Sequence, residues 1–179
     1  MKTKKMVLVA LFAALTIVCA QLIIPLPFIP VPFSLSVVAI FTCGAVLDKK
    51  SAVLAQIIYI LLGICGLPVF SGFSGGIQKI VGPTGGYIMA YPLMVFVISY
   101  LLEMLNRNKF MHVAIAMGAG LSICYLLGSI WLAFVQQINL WQAVVMGVIP
   151  FVLLDIVKIG ISASFALAFN KSKEKIFLK

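Results

Sequence analysis

Asp155 and Lys158 lie three residues apart inside a long apolar run, 143–170. On a helix that spacing puts a carboxylate and an ammonium on one face, close enough to pair. Each charge costs about 2.5–3.5 kcal/mol at the centre of a membrane helix, so an idle pair is a poor use of the position. Two readings follow. The pair neutralises itself and only fixes helix packing, or it forms the polar part of a binding site inside a bundle. The cost favours the binding site, which would offer acceptors and donors to a ligand carrying N–H, C=O and a carboxylate of its own. A proton relay is a third use, but no chain of acids or histidines leads away from Asp155.

The second chemistry-bearing region is the glycine-rich stretch GLPVFSGFSGGIQKIVGPTGGY, from Gly66 to Tyr87. Such backbone turns tightly and lets main-chain groups approach a ligand. Its apolar residues (Val69, Phe70, Phe73, Ile77, Ile80, Val81) suggest a lid that packs down rather than a plain connector. Pro83-Thr84-Gly85-Gly86, just ahead of a helix, would present free N–H groups at the helix N-terminus. Gln78, Tyr87 and Tyr91 are candidate supplementary hydrogen-bonders, each with an equally good reading as an interfacial polar or aromatic residue.

Two enzymatic readings arise in the same stretch. Gly82 to Gly86 lacks the Gly-Lys-Ser/Thr ending of a phosphate-binding loop, so no nucleotide site is expected. Gly72-Phe73-Ser74-Gly75-Gly76 fits the G-x-S-x-G pattern of serine hydrolases. That chemistry needs a base, and the only histidine, His112, falls at the opposite membrane edge; Lys79 is the remaining candidate. The four cysteines (Cys19, Cys43, Cys65, Cys124) lack paired spacing and read as free thiols packed like small hydrophobes, with no metal site.

The elements that must position these groups follow from composition. Of 179 residues, 64% are hydrophobic and 9% charged, with mean hydropathy +1.23. A soluble domain carries about a quarter of its residues as charges; this chain needs a bilayer as solvent. Six apolar stretches can be drawn, 6–24, 33–47, 51–67, 86–105, 111–135 and 143–170, the second and third short for a span. The expected fold is an all-α six-transmembrane-helix bundle forming one membrane-embedded domain over 1–179, with the glycine-rich loop on the outside between helices three and four.

Lys and Arg set the orientation. Eleven of thirteen fall on one side: Lys2, Lys4, Lys5, Lys49, Lys50, Arg107, Lys109, Lys171, Lys173, Lys175 and Lys179. By the positive-inside rule that side and both termini are cytoplasmic. The net charge of +9 then reads as topology and a fit to anionic lipid, not as a nucleic-acid footprint. Met1 to Ala20 has a signal-peptide look, but cleavage would leave five spans and spoil the charge alternation, so it is read as retained. In the first stretch Ala10 and Ala14 form a small-xxx-small spacing that lets another helix approach.

The segment IPVPFSLS (Ile29 to Ser36), the run from Gly66 to Tyr87, the Asp155-x-x-Lys158 pair and the alanine spacing together resemble the BioY family, over essentially the whole chain. These are biotin-specific substrate-binding (S) components of energy-coupling factor (ECF) transporters. The resemblance implies a non-catalytic prokaryotic plasma-membrane protein that captures biotin from outside with high affinity and needs no cofactor. It implies partners: a transmembrane coupling subunit, docking at Ala10 and Ala14, and two cytosolic ATPases. It places Asp155 and Lys158 in the biotin site. The chain departs from the family pattern at Ser34-Leu35-Ser36, where a Thr-Leu-Gln-like ending is expected, and at Gln78-Lys79, more polar than the family usually is there. An S component for another small vitamin, an intramembrane hydrolase using Ser74 and a purely structural membrane protein remain the alternatives.

Overall fold

The computed structural model describes residues 3–24 and 32–177, with side chains through 23 and over 32–171. The prolines at 25, 27 and 30, the start of the IPVPFSLS segment (Ile29 to Val31), Lys2 and Lys179 lie outside the described residues, as do the side chains of Lys173, Glu174 and Lys175. The elements run α1 (Thr3–Gln21), β1 (Ile23–Ile24), β2 (Phe33–Ser34), α2 (Ser36–Val46), α3 (Lys49–Ile64), α4 (Ile77–Val81), α5 (Gly85–Met104), α6 (Phe110–Gln136), α7 (Leu140–Gly147) and α8 (Ile149–Phe177). The protein is an all-α membrane protein; among the described residues the strands form one two-residue antiparallel ribbon, pairing Ile23 with Ser34 and Ile24 with Phe33. Four helices, α1, α5, α6 and α8, are long and apolar enough to cross a bilayer among the described residues.

The short α2 is viable because it is enclosed. Every residue from Ala39 to Val46 is buried, against α1, α5 and α8; a helix that is apolar all round belongs in a core. α5 and α6 make the most extensive helix pair. Glycines bring them together: a Cβ at Gly86 would sit 2.2 Å from Trp131 Cβ, and one at Gly128 would sit 2.3 Å from the Tyr87 ring.

α8 is the reverse of a water-soluble amphipathic helix. Phe151, Asp155, Lys158, Ser162 and Ala166 are buried, whereas Val152, Leu153, Leu154, Ile156 and Val157 face outward. That arrangement puts the two charges inward and leaves an apolar surface for lipid.

Three features differ from the sequence expectation. The run 143–170 is divided between α7 and α8, because Val148 leaves helical geometry (φ −128°, ψ −59°) and Pro150 suits the first turn of a new helix. α7 is separately nucleated by a capping box of Asn139 and Gln142. The glycine-rich stretch is not all loop, since it contains α4.

Candidate functional site

The inward face of α8 meets α5, α6, the β2–α2 junction and the glycine-rich loop around a cavity. The volume open to the centre of a water molecule is about 80 Å³, several times the roughly 10–15 Å³ that one water needs. Its walls are mainly apolar: Phe70 of the loop, Tyr87, Ile88 and Tyr91 of α5, Leu121 of α6 and Phe151 of α8.

The polar end is built around the charged pair. Lys158 Nζ lies 2.7 Å from Asp155 Oδ1, with the side chains 6% and 4% exposed. The ammonium donates to the Ser34 carbonyl at 2.8 Å and sits 3.9 Å from the centre of the Phe33 ring, a cation–π contact. The Tyr125 hydroxyl donates to Asp155 Oδ2 at 2.5 Å, a short charge-assisted bond. Among the described residues, the Lys158 ammonium is the one partner of Asp155 Oδ1. A lysine ammonium has three donors and a carboxylate about four acceptor sites. Spare donor and acceptor capacity therefore remains side by side at the cavity wall. That combination suits a neutral group that offers both N–H and C=O, such as an amide or a urea, with an apolar body against the aromatic walls.

Asp155, Lys158, Tyr87 and Tyr91 all line this cavity. Tyr87 is seated by Gly128 and Gly147 and donates to the Gly147 carbonyl at 3.1 Å. Gln78 is exposed on α4 and is not part of the lining, and its side chain folds back over Gly76. Gly85 and Gly86 are also absent from the lining. A Cβ at Gly85 would meet the Ile80 carbonyl oxygen at 1.7 Å, so close packing accounts for the first glycine as Trp131 does for the second. Ser74 lines the cavity, but its hydroxyl donates to the Ser71 carbonyl at 2.8 Å, bracing a turn. His112 is occupied elsewhere, with Nδ1 accepting from the Asn106 N–H at 3.0 Å. Ala10 and Ala14 are exposed on the outer face of α1, among Met6, Val7, Leu11 and Leu15.

Sequence reasoning missed Tyr125 and the Ser34 carbonyl. A signal existed for the first, because a phenol in the middle of a 27-residue apolar helix needs a hydrogen-bond partner. A backbone carbonyl leaves no trace in residue types.

A family model for the BioY family matches residues 1–175. Similar curated proteins include the probable biotin transporter BioY of Pyrococcus horikoshii, 45% identical over 88% of this chain and 91% of its own length. The biotin transporter BioY of Thermotoga maritima is 40% identical over 94% and 96%. Among solved structures, the S-component for biotin from an ECF-type ABC transporter superposes with a TM-score of 0.89 at 28% identity, covering 95% of this chain and 92% of that one.

Proposed function

This chain belongs to the BioY family, and from that premise we propose how its residues capture biotin. It is the biotin-binding S component of an ECF-type ABC transporter, a non-catalytic subunit for vitamin uptake. Asp155 and Lys158 take the ureido group, Asp155 accepting from its N–H groups and Lys158 donating to its oxygen. Tyr125 and the Ser34 carbonyl hold the pair in place, and Tyr87, Tyr91 and the aromatic walls enclose the bicyclic rings and aliphatic chain. The observation that carries this reading is the buried pair with unused hydrogen-bonding capacity facing an apolar cavity.

The whole chain acts as one membrane-embedded domain. The lysine and arginine distribution supports six spans, α2 and α3 being the short ones and α7–α8 together forming the last, with both termini cytoplasmic. Ala10 and Ala14 are the docking stripe for the coupling subunit, which the two ATPases drive; their exposure on α1 supports that role. The test is to purify the protein in detergent after growth with biotin and identify small molecules released on denaturation. Biotin is expected; a different vitamin in its place, or no molecule at all, overturns the assignment.

A further inference from the structure

Gln21, the last residue of α1, reaches 47–52 residues along the chain to grip the glycine-rich loop. Its Nε2 lies within donating distance of the Val69 carbonyl at 3.2 Å, the Pro68 carbonyl at 3.5 Å and, within α1, the Ile17 carbonyl at 3.1 Å, and its Oε1 accepts from the Phe73 N–H at 2.7 Å. Between Val69 and Phe73 lie Phe70 and Ser71, which with Ser74 are the cavity-lining residues of the 68–74 hairpin; Lys79 and Thr84 of the same glycine-rich stretch line the cavity beyond it. The loop is closed on itself there, since Phe70 and Ser74 exchange both backbone hydrogen bonds. Its base is anchored already: Val69 is buried, and the buried Phe70 ring stacks edge-on against Tyr59 at 5.5 Å and fills the space over Gly63. The tip has no such anchor. Phe73 is 72% exposed and has φ +53°, a left-handed conformation that a phenylalanine keeps only when its surroundings impose it. The Phe70–Ser74 closure shapes this turn from within, and the bond from Gln21 to the Phe73 N–H holds it from α1.

We propose that Gln21 is the latch of a gate, a positioning residue that holds the 68–74 hairpin shut over the cavity while Phe70 serves as the fixed pivot. α1 thereby carries the latch at one end and the exposed Ala10/Ala14 face along its length. The inference rests on the biotin reading for its ligand, but the latch itself can be observed without one.

The experiment compares wild type with Gln21→Leu, which removes every hydrogen bond of the side chain, and Gln21→Glu, which keeps the acceptor for Phe73 N–H and loses the donor. Two measurements are made on purified protein: association and dissociation rates of labelled biotin, and amide hydrogen exchange of the segment around Phe73 without biotin. A gate is crossed in both directions. Gln21→Leu is therefore expected to raise both rates by roughly tenfold with little change in Kd, and to accelerate exchange in 68–74 by a similar factor. Gln21→Glu should fall between the two proteins. Unchanged exchange in 68–74, or a weakened Kd with unaltered association, overturns the latch, the second result marking a merely structural role. If the wild type binds no biotin while exchange still rises only in 68–74, the latch stands and the biotin assignment falls.

Discussion

Among the described residues, three lysine–carboxylate pairs have nearly the same geometry and very different surroundings. Lys5–Asp48 (3.0 Å) and Lys49–Glu103 (2.8 Å) join helix ends at the turns, with every side chain more than a third exposed. Lys158–Asp155 (2.7 Å) is enclosed. The exposed pairs are optional fasteners: water solvates either member if the other is lost, and such pairs contribute about 0–1 kcal/mol. The enclosed pair has no such fallback. Removing one member leaves an uncompensated buried charge at about 3–5 kcal/mol. Distance alone therefore says little about what an ion pair does; solvation and unused bonding capacity separate a fastener from a site.

That contrast is sharpest for single substitutions. Asp155→Asn or Lys158→Ala should weaken biotin binding by at least a hundredfold in equilibrium binding with labelled vitamin, and lower the thermal midpoint in detergent. Lys49→Ala, the matched change at an exposed pair, should leave binding unchanged. An equal loss in both would erase the distinction.

Tyr125→Phe is intermediate. It removes the donor to Asp155 Oδ2 without changing charge, and hydrogen bonds to charged groups contribute about 1.5–3 kcal/mol. Binding weaker by roughly tenfold is expected in the same assay, and unaltered affinity would show that Asp155 needs no positioning.

The smallest effect belongs to Lys5 and Asp48. Partial burial opposes ionisation of Asp48, but hydrogen bonds from the Lys5 ammonium and from Ser51, with the lysine's charge, outweigh it and hold the carboxyl below the usual range. The stabilisation is present above the unfolded value near 3.9 and is lost as pH falls through the lower folded value. Thermal midpoints of wild type and Lys5→Ala should differ by the equivalent of no more than about 1 kcal/mol at pH 6. The difference should close as pH is taken through and below that folded value; a gap that persists in full there would assign the contact another role.

What the sequence made legible was local. The i, i+3 spacing of Asp155 and Lys158, the apolar positions around them and the long spans are all set within one helix turn or one bilayer thickness. Tyr125 and the Ser34 carbonyl reach the pair from 30 and 124 residues away, and no helical period reports which face of α6 turns toward α8. The break at Val148 depends on the geometry of a single non-glycine residue inside an apolar run, where hydropathy has no contrast. The glycines of GPTGGY were legible as places of close approach. Whether a ligand or a neighbouring chain segment approaches is a tertiary fact, and at Gly85 and Gly86 the neighbours are Ile80 and Trp131.

The most direct measurement is equilibrium biotin binding by the neutral double variant Asp155→Asn/Lys158→Met, with its thermal midpoint read on the same sample. Removing both charges leaves no unpaired ion, so the fold should recover to within a few degrees of wild type while biotin binding stays lost. A double variant that binds biotin as tightly as wild type would contradict the claim that this pair is held in the membrane interior for the ligand.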